Sequence, residues 1–310
     1  MKTKLSQSPA CTPMRHGRLR VADGAELQVY DAGGGPGPTL ILVGGLCGDV
    51  DAFRPLVDDF ARWHRIIAWD YRGLYRSTTG VRRDPRIGRH ADDLALVLDH
   101  FEVDQAVAVG WSMGARVATE AMARRPGRIS ALIAIGGTFG RPFQRMLEPL
   151  LGPLAGAAPI LLKAAEVAAM GASSFPPLLQ RISRRPLVLD GLRLLGAVGE
   201  TAEVSRVAEL VGDAARTDPA TLTATLYALG EYCAEVQLAA IDVPALLISG
   251  DRDPFTTVAE SRKAAAVLGA ELTIIPSATH FAMIEFPELV HLRMDAFLRR
   301  SVGFDRLAAA

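Results

Sequence analysis

Residues Ala106–Ala123, AVAVGWSMGARVATEAMA, set one serine between two glycines where one kind of sequence gives way to another. Ala106–Val109 is a short apolar run with the character of a buried strand, and Ala115–Ala123 is rich in helix formers at helical spacing. Gly110 and Gly114 lack the β-carbon that would collide where a strand and a helix approach closely, so the segment reads as strand, sharp turn, helix. Ser112 then stands at the tip of the turn, with its hydroxyl held out of the core.

Working outward, the same alternation recurs. Leu40–Val43, Ile66–Trp69, Ala131–Ile135, Ala245–Ser249 and Leu272–Ile275 are further apolar runs of the kind that parallel sheets bury on both faces. Amphipathic stretches such as Ile87–Phe101 and Ser261–Leu268 lie between them. This order predicts an α/β fold: a mostly parallel central sheet flanked by helices, right-handed crossovers, and function at the carboxyl ends of the strands. The alternation stops after Gly137. From Thr138 to Glu235 the chain is rich in Leu, Ala, Pro and Gly without clear strands, and Pro219–Tyr232 reads as a helix capped by Asp218. The expected organisation is a core made of residues 1–137 and 236–303, with residues 138–235 inserted as an all-helical cap. The start, MKTKLSQSPACTPMRHGR, reads as a loose polar tail without the apolar region of a secretory signal, and the last few residues as frayed.

Composition narrows the partners. The 310 residues can bury a substantial core without a staple, and 34 basic residues balance 34 acidic ones, so no global field favours nucleic acid or anionic lipid. Cys11, Cys47 and Cys233 are odd in number and far apart; they suit a reducing, cytoplasmic setting and have no metal-ligand spacing. The longest uncharged run, Pro149–Leu162 (PLLGPLAGAAPILL), is too short to span a membrane and is broken by proline and glycine. Stable membrane insertion is not expected.

GWSMG, Gly110–Gly114, fits the nucleophile-elbow pattern G-x-S-x-G. A serine hydroxyl is a poor nucleophile near neutral pH and needs a base within hydrogen-bond reach. Of the six histidines, His16 lies in the polar start, while His64, His90, His100 and His291 fall in or beside charge-rich, helix-like segments where solvated side chains are expected. His280 differs, because it follows the Leu272–Ile275 strand by a short turn and so stands at the same sheet edge as Ser112. The imidazole in turn needs a carboxylate to fix its tautomer and stabilise its cation. SGDRDP, Ser249–Pro254, supplies two after another strand: Asp253, further into the loop, is the first choice, and Asp251 the fallback. A tetrahedral oxyanion requires preorganised backbone donors. The N–H of Met113, directly after the serine, is one; the glycine loop VGGLCGD after the first strand offers the N–H of Leu46 as the other, with Gly45 supplying the bend.

From about Gly24 to Leu298 the chain resembles the α/β-hydrolase fold family, serine hydrolase branch, with a helical cap. Beyond GWSMG, DYRGLYRS (Asp70–Ser77) resembles the family's D-x-R-G-x-G-x-S turn, VPALLISGDRDP its acid loop, and HFAMIEFPE (His280–Glu288) its H-x-x-x-x-E-x-P segment. The resemblance implies Ser112 as nucleophile, Asp253 as acid and His280 as base. No carboxylate stands directly after Ala131–Ile135, the other place where the family puts the acid. Three positions depart from the pattern: Gly44–Gly45 where His-Gly is frequent, Tyr75 for a glycine in the arginine turn, and Thr279 for a glycine before the histidine.

The expected activity is hydrolysis of carboxylic esters through an acyl-enzyme, without metal or cofactor. The apolar runs Pro149–Leu162, Ala164–Met170 and Leu192–Val198 suit a small hydrophobic acyl or aryl ester as partner. The same residues are compatible with an acyltransferase or thioesterase, and with a non-catalytic small-molecule receptor on the same fold.

Overall fold

The computed structural model describes residues 11–46, 48–137, 139–140, 198–199, 207, 209–210, 212 and 217–306. Its frame is one eight-stranded sheet with the order β1-β2-β4-β3-β5-β6-β7-β8. The strands are β1 (Arg15–Arg20), β2 (Glu26–Gly33), β3 (Gly37–Val43), β4 (His64–Trp69), β5 (Ala106–Trp111), β6 (Ile129–Ile135), β7 (Ala245–Gly250) and β8 (Glu271–Ile275). From β4 to β8 all neighbours are parallel, whereas β2 runs antiparallel to both β1 and β4. Eight α-helices among the described residues follow in chain order: α1 (Arg54–Phe60), α2 (Ile87–His100), α3 (Met113–Arg124), α4 (Pro219–Glu231), α5 (Glu235–Leu238), α6 (Val258–Leu268), α7 (Ala282–Glu285) and α8 (Pro287–Phe297).

All six expected strands are present, and successive residues explain why they are continuously apolar. In β5, Ala106 and Ala108 pack with α2 and α3 on one face, while Val107, Val109 and Trp111 pack with α1 and α8 on the other. A strand's period of two thus places alternate side chains in two different cores, and both must be apolar. The helix expected at Pro219–Tyr232 is α4, and the Asp218 carboxylate accepts the Thr221 N–H at 2.9 Å as its cap. Most of the expected cap, including the apolar stretches 149–162 and 164–170 and all but the last residue of 192–198, lies outside the described residues. Among those that are described, no helix is long and apolar enough to cross a membrane.

Two expectations are corrected. Arg15–Arg18, read as part of a loose tail, belongs to β1, an edge strand whose side chains are mostly exposed. Its backbone pairs with β2 from Arg15↔Asp31 to Arg20↔Glu26, so the ladder holds it without an apolar signature. His64, His90 and His291, expected to be solvated, are buried. His64 starts β4 and donates from Nδ1 to the Pro38 carbonyl at 2.8 Å, and His291 Nδ1 meets the Asp59 carboxylate at 3.1 Å.

His90 has no hydrogen-bond partner at either ring nitrogen among the described residues and leans on Tyr71, ring centroids 4.7 Å apart. Burial, reinforced by the nearby Arg72 charge, pushes its pKa down to about 3. Above pH 6.5 the ring is neutral in folded and unfolded chains alike and has no effect on the pH dependence of stability. Below it the unfolded chain takes up a proton that the folded one refuses, so stability falls with pH by up to about 1.4 kcal/mol per unit. A His90→Leu variant lacks this slope. Urea unfolding between pH 6.5 and 4 is expected to show the variant gaining on the parent as pH drops; a constant difference would mean the ring protonates in the folded state.

Candidate active site

Ser112 sits between β5 and α3 with φ 54° and ψ −116°, a conformation that side chains other than glycine rarely adopt. Such a residue costs on the order of 1–3 kcal/mol and persists only where its surroundings over-determine it. Here they do. A β-carbon on Gly110 would come within 2.7 Å of the Ala115 nitrogen, and one on Gly114 within 1.8 Å of the Val43 carbonyl oxygen. Both glycines are therefore fixed by contact, and they let α3 start directly against the end of β3. The Ser112 N–H donates to the Ile135 carbonyl at 3.0 Å, tying the turn to β6.

The loops after β7 and β8 bring the other two side chains to this turn. Ser112 Oγ lies 2.8 Å from His280 Nε2, and His280 Nδ1 lies 2.9 Å from Asp253 Oδ2. The second Asp253 oxygen accepts the N–H groups of Phe255 at 2.8 Å and Thr256 at 2.9 Å, the pattern of an ionised, acceptor-only carboxylate. The tautomer with its proton on Nδ1 donates to this carboxylate and leaves Nε2 to accept from the serine hydroxyl. Asp253 and His280 are buried, and the rings of Phe255, Trp111 and Phe281 surround the imidazole at centroid distances of 4.8, 6.0 and 6.1 Å. Asp251 is not part of this line: its Oδ1 accepts the Ser277 N–H at 2.7 Å and braces the turn after β8.

Met113 is the first residue of α3, so its N–H has no acceptor within the helix. Leu46 follows β3 and is buried in the glycine loop, where Gly45 lies flat against Trp111: a β-carbon there would sit 2.8 Å from the indole ring. Among the described residues no three His, Cys, Asp or Glu side chains gather as a metal cage. A groove of about 1030 Å³ opens elsewhere, between α2, α3 and α4, where Arg89 pairs with Asp23 at 2.7 Å and Arg124 with Glu120 at 2.6 Å.

The α/β-hydrolase fold model matches residues 38–156, which contain Ser112 but not Asp253 or His280. The chain has the α/β-hydrolase fold. It is 26% identical over 280 residues to the dihydrolipoyllysine-residue acetyltransferase component of the acetoin cleaving system of Pseudomonas putida, covering 89% of this chain and 68% of that one. It is 24% identical over 263 residues to 3-oxoadipate enol-lactonase 2 of Acinetobacter baylyi, covering 85% and 89%. A crystal structure of a hydrolase from Pseudomonas aeruginosa superposes with a TM-score of 0.72 at 23% identity, covering 91% of this chain and 98% of the other.

At Tyr75 and Thr279, two of the positions that depart from the α/β-hydrolase sequence pattern, the side-chain hydroxyl makes a bond that a glycine could not. Thr279 donates from its hydroxyl and its N–H to the two oxygens of buried Glu285, at 2.6 and 2.7 Å, bracing the segment that carries His280. The Tyr75 hydroxyl donates to the Leu46 carbonyl at 2.6 Å, and the Tyr71 hydroxyl to the Gly44 carbonyl at 2.7 Å. Arg76 donates to Asp49 at 2.9 Å, and its own N–H to Asp70 at 3.1 Å. The arginine turn thus grips the glycine loop at three points. Trp111 holds the opposite side, donating from Nε1 to the His280 carbonyl at 3.0 Å. Sequence reasoning missed Tyr71, Arg76, Trp111 and Glu285 as supports, although all four lie inside segments that it singled out.

Proposed function

We propose that the protein is a serine hydrolase that cleaves carboxylic esters through an acyl-enzyme formed on Ser112. The observation that carries this reading is the unbroken line Asp253–His280–Ser112, with hydrogen bonds of 2.9 and 2.8 Å. His280 Nε2 takes the serine proton as Oγ attacks the ester carbonyl, and Asp253 stabilises the imidazolium so formed. The N–H groups of Met113 and Leu46 receive the oxyanion. His280 then returns its proton to the leaving alcohol, and water repeats the two steps on the acyl-enzyme. An apolar acyl or aryl group is the preferred cargo, a choice supported by the composition of residues 149–170.

A second reading, transfer of the acyl group to an alcohol, amine or thiol in place of water, is favoured by the name of the acetyltransferase relative. The two differ only in what deacylates Ser112, so adding such nucleophiles during turnover separates them by product.

The test is covalent labelling. A fluorophosphonate is expected to modify Ser112 alone, located by mass spectrometry, and p-nitrophenyl esters of rising acyl length are expected to be hydrolysed with a preference for apolar chains. Labelling at another residue would defeat the role of Ser112, and no turnover of any ester alongside tight binding of an apolar ligand would replace the enzyme by a receptor.

A further inference from the structure

The peptide unit that joins Gly45 to Leu46 carries the Leu46 N–H, and the carbonyls on either side of it are each held by a tyrosine hydroxyl. Tyr71 donates to the Gly44 carbonyl at 2.7 Å and Tyr75 to the Leu46 carbonyl at 2.6 Å. Two consecutive glycines, Gly44 and Gly45, leave this stretch free to rotate about its backbone bonds, and a rotation of the intervening peptide would turn the N–H away from the serine. The Trp111 ring closes one side of Gly45. The two phenols restrain the carbonyls on either side of the Gly45–Leu46 peptide.

Tyr75 is the more telling of the pair. Its φ of 52° lies in the left-handed region, where a tyrosine costs about 1–2 kcal/mol relative to glycine. Nothing in the local turn requires a side chain at that position, since a glycine would adopt the same backbone without strain. The strain is offset by what the side chain reaches: the hydroxyl spans to a residue 29 positions earlier in the chain. We propose that Tyr75 is a positioning residue for the reaction, fixing the Leu46 peptide so that its N–H points at the oxyanion. Tyr71 fixes the same peptide from the other side. The inference rests on Ser112 being the nucleophile and Leu46 an oxyanion donor.

Because a misaligned donor matters only when negative charge appears, the effect belongs to the transition state. Tyr75→Phe is expected to lower kcat for a p-nitrophenyl ester by about 10–100-fold, less than the 10²–10³ for losing a donor outright, with KM within about 2-fold of the parent. A trifluoromethyl ketone, which forms a hemiketal oxyanion on the serine, should lose affinity by the same factor as kcat/KM. Tyr75→Gly removes the ring packed on the core together with the hydroxyl and should lose kcat in the same way, whereas Tyr75→Phe keeps the ring and should keep its Tm within about 2 °C of the parent, which separates positioning from general loosening. An unchanged kcat in either variant, or a fall carried by KM alone, overturns the role of Tyr75. Should the parent enzyme fail to label at Ser112, the reading of the site fails first, whatever the tyrosine variants do.

Discussion

Ser112→Ala and His280→Ala are each expected to lower kcat on an activated ester by about 10⁶, and the double variant is expected to be no worse than either one alone. The reason is geometric. In the proposed mechanism the serine oxygen becomes a competent nucleophile only through the 2.8 Å contact to His280 Nε2, so each side chain is useless without the other and their losses do not multiply. Asp253→Asn should cost less, about 10⁴, because the imidazole keeps its place but loses the acceptor that fixes its tautomer. A residual rate about 10³–10⁴ above water should survive in all of them, since the N–H groups of Met113 and Leu46 are backbone donors that side-chain deletion does not touch. Steady-state rates on p-nitrophenyl acetate would measure this, with enzyme concentration fixed by fluorophosphonate titration of the parent and by absorbance of the folded variants. Losses that multiply in the double variant would mean that the two residues act in separate steps, and the line of three would lose its meaning as one unit.

Why this unit was legible in the sequence, when its supports were not, follows from where the information sits. Ser112, Asp253 and His280 each follow an apolar run by one to five residues, so each lies at the carboxyl end of a strand, and parallel strands bring those ends to one edge. Local pattern was enough. The parallel strands β3 to β7 were equally plain, because burial on both faces removes polar residues from the run, and β8, at the edge, was plain from its apolar end Leu272–Ile275. β2 was hidden by Gln28 and Asp31, which are buried yet polar, and β1 by side chains that face water along most of its length. The buried histidines escaped for a related reason. His90 sits in α2 beside Arg89 and Asp92, and only the tertiary fold shows that it faces Tyr71 and not solvent. Tyr71, Tyr75 and Trp111 act on residues between 27 and 169 positions away, and no spacing rule connects such partners.

Arg116→Met is expected to destabilise the fold by about 3–5 kcal/mol. Arg116 lies one helical turn beyond Ser112 in α3 and is fully buried. Its guanidinium donates to the carbonyls of Leu229 at 2.9 Å and Tyr232 at 2.8 Å, and also to that of Gly140. The first two belong to the end of α4, whose last carbonyls have no partner within the helix and carry the negative end of its dipole. Gly140 stands just after β6, so one cation joins the places where the chain leaves the sheet and where it returns. Burial lowers the pKa of Arg116 to about 10, still far enough above neutrality for the charge to persist. Methionine fills much of the same space without donors, leaving three acceptors short of a partner at about 1–3 kcal/mol each, partly offset because no cation has to be desolvated. Lysine offers a compact charge without the planar fork, so Arg116→Lys should fall between the two. Differential scanning calorimetry should place the methionine variant roughly 10 °C below the parent, and hydrogen exchange should show α4 losing protection before β5. A shift of less than about 2 °C would mean that desolvation cancels the hydrogen bonds of the guanidinium. The junction would then be held by its other contacts, the Tyr232 hydroxyl on Glu120 at 2.6 Å and the Ala234 N–H on the Phe139 carbonyl at 2.9 Å.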